Sequence, residues 1–198
     1  MGGALRTNLR FVILFTSLMF ACAPPQQGTM TDITGVMPPL EFVMTRANDS
    51  KPVTASDYRG KVVILYFGYT HCPDICPTTL ANLASVLKAL GPKADNVRVL
   101  FVSVDPNRDT APVLKQYVQA FAPQIDGLTG TPDEIAMLAR RYRVTYQVTP
   151  ASPGQDYEVM HSDSIFFFDP AGHARYVTTS SDDTTAIAGD VSALITQQ

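Results

Sequence analysis

Two cysteines four positions apart carry the strongest chemical signal in this 198-residue chain. They lie in Tyr69-Thr70-His71-Cys72-Pro73-Asp74-Ile75-Cys76-Pro77. The segment follows a continuous apolar run, Val62 to Phe67, and precedes leucines at helical spacing, Leu80, Leu83, Leu87 and Leu90. A run of that length reads as a strand buried on both faces, so the cysteines join a buried strand to an amphipathic helix. Pro77 suits a first helical turn, where its missing N–H has no partner to lose. Residues before proline avoid the α region, which predicts extended or turn-like conformations for both Cys72 and Cys76. Unpaired N–H groups at a helix N-terminus favour a thiolate, which predicts thiol pKa values below about 8.5. Thiolates serve as nucleophiles and as soft metal ligands. The spacing leaves three readings open: a structural disulfide, a thiol–disulfide redox centre and a metal site. Redox centres of the Cys-x-x-Cys type have two intervening residues. Here there are three, a separation suited to admitting a third ligand.

That ligand must come from elsewhere in the chain. The histidines are His71, His161 and His173. His161 stands just before an apolar strand, Ile165 to Phe168, whose entry loop is expected to face the cysteine-bearing helix end. Cys72, Cys76 and His161 would then form a site of two thiolates and one imidazole. Such a set suits copper, since thiolates favour Cu(I) and imidazole accommodates Cu(II). Zinc prefers four ligands, or three and a water, and is less favoured. His71 adjoins Cys72, where two neighbouring ligands would strain the chain, so it is expected outside the ligand set. His173 follows a turn and is expected at the surface. Thioredoxin-like oxidoreductases place a proline immediately before the strand that faces their cysteines. This sequence has Met160-His161-Ser162-Asp163 there, which favours a ligand site over a disulfide-exchange site.

The elements that must position these residues follow from the pattern. Leu40, Phe42 and Met44 alternate as a strand, Ala47 to Ser50 is a turn, and Val53 lies on the return. After the cysteine helix, Gly91-Pro92 is a stop. Val97 to Val104 is a second buried strand. A helix with Val113, Leu114, Tyr117, Val118 and Phe121 on one face follows, capped by Asp109 or Thr110. Thr131-Pro132-Asp133-Glu134 is a capping box that opens a third helix. Val144, Tyr146 and Val148 form a strand, and 149–156 a loop. Ile165 to Phe168, the turn Asp169-Pro170-Ala171-Gly172 and Tyr176-Val177 form a hairpin, and Ile187 to Ile195 a last helix capped by Asp182 or Asp183. This order predicts an α/β fold, a thioredoxin-like three-layer sandwich with an N-terminal β-hairpin extension.

Composition bounds the rest. A hydrophobic fraction of 45% and a charged fraction of 17% describe a globular chain, and a net charge of −3 excludes a basic nucleic-acid-binding face. Arg6 and Arg10 precede the apolar stretch Phe11 to Ala21, which is too short to span a hydrocarbon core of about 30 Å but suits a signal peptide, with an uncleaved membrane anchor as the alternative reading. Cys22 ends that run as in bacterial lipoprotein signals, where the cysteine becomes the lipid-bearing N-terminus. The organisation expected is therefore a signal peptide of lipoprotein type over 1–22, a flexible tether over 23–33 and one domain over 34–198. The protein would be exported and held at a membrane through its N-terminus. Removing 1–22 leaves Cys72 and Cys76 as the remaining cysteines, in a compartment that permits disulfides.

Several segments together resemble the SCO/SenC family of copper-binding, thioredoxin-like proteins: Gly60-Lys61-Val62-Val63, Phe67 through Pro77, Ser103-Val104-Asp105-Pro106, Arg108-Asp109-Thr110, His161-Ser162 and Phe168 through Gly172. The resemblance runs from about Thr34 to Leu194. It implies a membrane-tethered metallochaperone that assists assembly of the binuclear copper centre (CuA) of cytochrome c oxidase. Copper would bind at Cys72, Cys76 and His161, for delivery to the oxidase subunit or in company with reduction of that subunit's cysteines. A thiol reductant protein is the second implied partner, because a Cys72–Cys76 disulfide would abolish binding. The competing reading is a thiol–disulfide oxidoreductase or redox sensor that delivers no copper. Asp74 and Asp105 lie in matched segments: Asp74 either bonds the loop or stays solvated, and Asp105, at a strand end near the same face, either orders the site or plays a purely structural part.

Overall fold

The structure is a computed structural model that describes residues 1–2, 30–150 and 157–196. In chain order its elements are β1 (Thr31–Asp32), β2 (Val43–Arg46), β3 (Lys51–Thr54), β4 (Val62–Gly68), α1 (Ile75–Leu90), β5 (Val97–Ser103), α2 (Ala111–Gln119), β6 (Ile125–Thr129), α3 (Pro132–Arg141), β7 (Tyr146–Thr149), β8 (Glu158–His161), β9 (Ile165–Phe168), β10 (Ala174–Thr178) and α4 (Thr184–Ile195). Eight strands form one sheet in the order β1-β10-β9-β4-β5-β6-β2-β3. β4, β5 and β6 run parallel, and the hairpin partners β9 and β10 run antiparallel beside them. The order is that of the thioredoxin-like sandwich, with β2 and β3 as the N-terminal hairpin attached at the far edge through β6. β7 and β8 form a separate two-stranded ribbon.

Patterning explains the centre of the sheet. Every residue of β4 is buried, as a strand covered on both faces requires. On α1, Leu80, Leu83, Val86, Leu87 and Leu90 are buried, and the helix packs against α4. Gly91 ends α1 with φ +56°, a left-handed conformation that glycine adopts without a Cβ clash. At α3, the Thr131 N–H donates to the Glu134 carboxylate at 2.7 Å and the Glu134 N–H donates to Thr131 Oγ1 at 3.3 Å, completing the expected box. Asp183 caps α4 by accepting the Ala186 N–H at 2.9 Å.

Four features depart from the sequence reading. β1 falls in the segment assigned to the tether: it pairs with β10, the Ile33 N–H donates to the Arg175 carbonyl, and Met30 and Ile33 are buried, so the fold begins ahead of residue 34. β6 was hidden because Asp126 and Gly127 interrupt its apolar pattern. Asp126 accepts a hydrogen bond from the Tyr58 hydroxyl at 3.0 Å, and Asn48 bridges the neighbouring backbone. β8 was hidden because one buried residue, Val159, stands among polar and exposed ones. Thr110 occupies the N-cap position of α2 without a side-chain bond, and Asp109 is turned into the interior.

Gly127 owes its identity to close packing. A Cβ there would stand 2.6 Å from Leu114 Cγ, and Leu114, on the inner face of α2, is fully buried. Gly127→Ala is therefore expected to destabilise the fold by about 1–3 kcal/mol, the usual cost of overpacking, as a lowered midpoint in urea unfolding.

Candidate metal centre

The cysteine loop leaves the buried end of β4 and is pinned before it reaches the helix. Asp109, fully buried, accepts the Thr70 N–H at 3.0 Å, the Thr70 hydroxyl at 2.6 Å and the Ser103 hydroxyl at 2.6 Å. The Cys72 N–H then donates to the Tyr69 carbonyl at 3.3 Å, which turns the chain back. Cys72 lies in that turn and is half-buried. Cys76 does not: it sits in the first turn of α1 and is fully buried. The bias of a pre-proline residue is overridden by packing, because the Cys76 sulfur fills a slot against Gly68. A Cβ at Gly68 would lie 2.9 Å from that sulfur and 2.5 Å from Phe101 Cε2. The Cys76 N–H, free of an intrahelical acceptor at the start of α1, donates to Cys72 Sγ at 3.4 Å.

His161 arrives from the other side. It is the last residue of β8, where the sequence suggested a loop. Its Nε2 lies 3.2 Å from Cys76 Sγ, and its Nδ1 lies 3.0 Å from the Ser162 carbonyl. A carbonyl can only accept, so Nδ1 carries the proton and Nε2 turns its lone pair toward the sulfurs. Tyr66 and Tyr69 hold the ring edge-on, each with centroids 5.9 Å from it. The two sulfurs and Nε2 all lie within 4.8 Å of one another. A trigonal ion with metal–sulfur bonds of about 2.3 Å sets two sulfurs about 4.0 Å apart, so a single ion fits between these donors with small adjustments. Both cysteines are free thiols.

A model of the SCO1/SenC family matches residues 37–196. The chain belongs to the SCO1/SenC family. Among curated relatives, it is 47% identical to the mitochondrial SCO2 homologue of Bos taurus over 119 residues, 59% of this chain and 45% of that protein. It thus spans about half the length of the curated relatives it matches. Among solved structures, copper-bound ScoI of Arabidopsis thaliana superposes with a TM-score of 0.73 at 38% identity, covering 81% of this chain and 99% of that one. A SCO1/SenC family lipoprotein from Bacillus anthracis superposes with a TM-score of 0.68 at 26% identity, covering 83% and 97%.

Around the donors of this SCO1/SenC chain, burial sets the electrostatics. It pushes the Cys76 thiol up from 9.0 to about 12, the reverse of the lowering expected from the helix N-terminus. The difference arises because Cys76 is enclosed by Tyr66, Phe101 and the end of β4, so loss of hydration outweighs the helix end. Burial likewise raises Tyr69 to about 12, with Cys72 adding to the shift, and raises Tyr66 further.

Of the two aspartates singled out in the sequence, one bonds the segment that leads into β8. Asp105 is buried and accepts hydrogen bonds from the Tyr157 hydroxyl and Arg108 Nε. Arg108 also donates to the Tyr157 carbonyl at 3.2 Å and stacks over its ring at 3.8 Å. Tyr157 immediately precedes β8, so this clamp holds the strand that ends in His161. Asp74 is exposed at the N-cap position of α1 and makes no capping bond. His71 is exposed, with Nδ1 3.1 Å from the Thr70 hydroxyl and 3.7 Å from Asp109, outside the donor triangle. His173 is exposed and paired with Asp169 at 3.2 Å. Cys22 lies outside the described residues, as does the signal segment apart from Met1 and Gly2. Asp109 was read from the sequence only as a candidate helix cap, and Gly68 and Tyr157 were given no role. The position of Asp109 six residues beyond a buried strand Ser was the available signal for the first.

Three outcomes test this geometry. Iodoacetamide should alkylate Cys72 well before Cys76 near pH 7. The Cys76 rate should climb about tenfold per pH unit toward pH 12, following its thiolate fraction. The same raised pKa lowers stability as pH rises from 9 toward 12, because the unfolded chain releases this proton first. Asp105→Asn should destabilise the fold by about 1–3 kcal/mol by weakening a buried charge-assisted pair, and should accelerate hydrogen exchange at the Met160 amide more than at β4 amides.

Proposed function

We propose that this chain is a copper metallochaperone that assists assembly of the CuA centre of cytochrome c oxidase, by delivering copper, by reducing acceptor cysteines, or by both. The observation that carries the reading is the convergence of Cys72 Sγ, Cys76 Sγ and His161 Nε2 within 4.8 Å in a SCO1/SenC chain. Two soft thiolates with one imidazole favour copper over hard cations, and three donors leave room for an incoming ligand. The copper-bound state of the Arabidopsis relative supports the same cargo here.

The chain's own residues determine how cargo is taken and released. Both thiols lose protons on binding, and burial makes the Cys76 proton harder to remove than that of a free thiol. Cys72 is the more accessible sulfur, so exchange with an acceptor thiolate begins there while Cys76 and His161 retain the ion. Oxidation to a Cys72–Cys76 disulfide removes both thiolates at once, so a thiol reductant protein is the second partner. The protein is read as exported and membrane-tethered through its N-terminus, at the periplasmic face or cell envelope, with Cys22 as the lipid-bearing residue. That reading rests on Arg6, Arg10 and the apolar run ending at Cys22. It is supported by the lipoprotein among its structural relatives. No helix among the described residues is long and apolar enough to cross a membrane.

Titration of the reduced chain with Cu(I) tests the site. The expected result is one tight equivalent per chain. Cys72→Ala, Cys76→Ala and His161→Ala should each weaken it by more than the roughly 10–100-fold that loss of an outer hydrogen-bond partner costs. Apparent affinity should rise about tenfold per pH unit below pH 9 for the Cys76 proton alone. Failure to bind copper, together with rapid disulfide exchange that is indifferent to His161→Ala, would favour the thiol–disulfide oxidoreductase instead.

A further inference from the structure

The ribbon strand β8 has two edges, and its register shows which groups each one presents. Tyr146 stands opposite His161, and Val148 opposite Val159. The Ser162 N–H donates to the Thr145 carbonyl at 2.9 Å, which makes Thr145–Ser162 a hydrogen-bonded pair. Bonded and non-bonded pairs alternate along an antiparallel ladder, so the bonded pairs within the ribbon are Gln147–Met160 and Thr149–Glu158. The N–H and C=O groups of Tyr157, Val159 and His161 therefore point away from β7. Arg108 confirms the direction, because it meets the Tyr157 carbonyl on that side. Among the described residues, no hydrogen bond engages the outward backbone groups of Val159 or His161.

This open edge borders a groove of about 440 Å³, lined by Tyr69, His71, Pro73, Arg108, Tyr157 and Met160 among others. The opposite wall is the cysteine loop, since His71 and Pro73 flank Cys72. Tyr69 stands edge-on to the His161 ring. A strand bonded to the His161 backbone would lie about 4.8 Å from it, and its alternate side chains would share one face. An unpaired edge is ordinarily a liability that proteins cover or blunt. Here it lies against the donor set and is two residues long, closed at one end by Arg108.

We infer that the copper acceptor docks by adding a short extended, cysteine-bearing segment to the open edge of β8, placing its thiolates beside Cys72 and His161. The inference rests on the metallochaperone reading and names how that site recognises its partner. Backbone pairing supplies orientation, and alternate side chains supply the incoming donors. Copper(I) moves without a change of oxidation state. Two acceptor thiolates replace those of Cys72 and Cys76, which take up the two protons that the acceptor thiols give up. An edge of two residues suits a complex that must form and part.

The test uses the full chain, labelled with nitrogen-15, and a synthetic peptide, acetyl-Val-Thr-Cys-Thr-Cys-Thr-Val-amide. A second peptide carries N-methyl groups on its threonines, which removes backbone donors and keeps both thiols. The parent peptide should shift and protect the Val159 and His161 amides of the metal-free protein, and the N-methylated one should not. From the Cu(I)-loaded chain, transfer to the N-methylated peptide should be about tenfold slower, as loss of about two hydrogen bonds implies. Equal transfer rates with unaffected Val159 and His161 amides would overturn the inference. So would protection of those amides that grows with protein concentration in the absence of peptide, which would assign the edge to a second copy of the chain. The amide measurement needs no metal. Failure to load copper therefore overturns the metallochaperone reading separately from edge pairing.

Discussion

A sulfur atom packed against a strand that has no side chain to spare sets the geometry of this protein. Cys76 Sγ lies where a Cβ at Gly68 would come within 2.9 Å, and Phe101 closes the same space from β5. That contact fixes the start of α1 relative to the end of β4. It draws Cys76 into the helix despite the proline that follows, and so leaves Cys72 in the turn ahead of it. The inequality between the two thiols follows directly. One is sheltered and holds its proton, while the other stands at the rim as the acceptor of a helix-end N–H.

The donor set was legible because its residue types are scarce. Besides Cys22, the chain has one pair of cysteines and three histidines, and the position of each relative to apolar runs sufficed to single out Cys72, Cys76 and His161. The central strands β4, β5 and β9 were legible for the same physical reason that they are buried: both faces are covered, so nothing polar interrupts them. β6 and β8 were not, because one carries an aspartate satisfied by a tyrosine from a distant segment and the other is a ribbon lying off the main sheet. Such strands are specified by partners far away in the chain, which periodicity does not record. The lowered thiol pKa expected at Cys76 failed on a similar point. A helix end is visible in sequence, but the depth at which a side chain sits beneath a neighbouring strand is not.

The supporting polar groups divide their labour by direction. Asp109 faces the cysteine loop and takes three donors from Thr70 and Ser103. Asp105 faces the ribbon and takes Tyr157 and Arg108. The Asp109 N–H donates to the Asp105 carbonyl at 2.9 Å, so the two carboxylates belong to one hydrogen-bonded turn. Sequence reasoning could place Asp109 only as a candidate cap, since its actual partner, Thr70, lies 39 positions earlier.

That shared turn has a mechanical consequence. The donors come from segments 85 positions apart, yet both segments are moored to the same few atoms after β5. A displacement of that turn carries the cysteine loop and the histidine ribbon in the same sense, and the distances among the three donors change little. Breathing of the sheet transmitted through that turn would act on both segments together, much as noise couples equally into a balanced pair of wires. The turn at Cys72 and the free side of the ribbon lie outside that shared mooring.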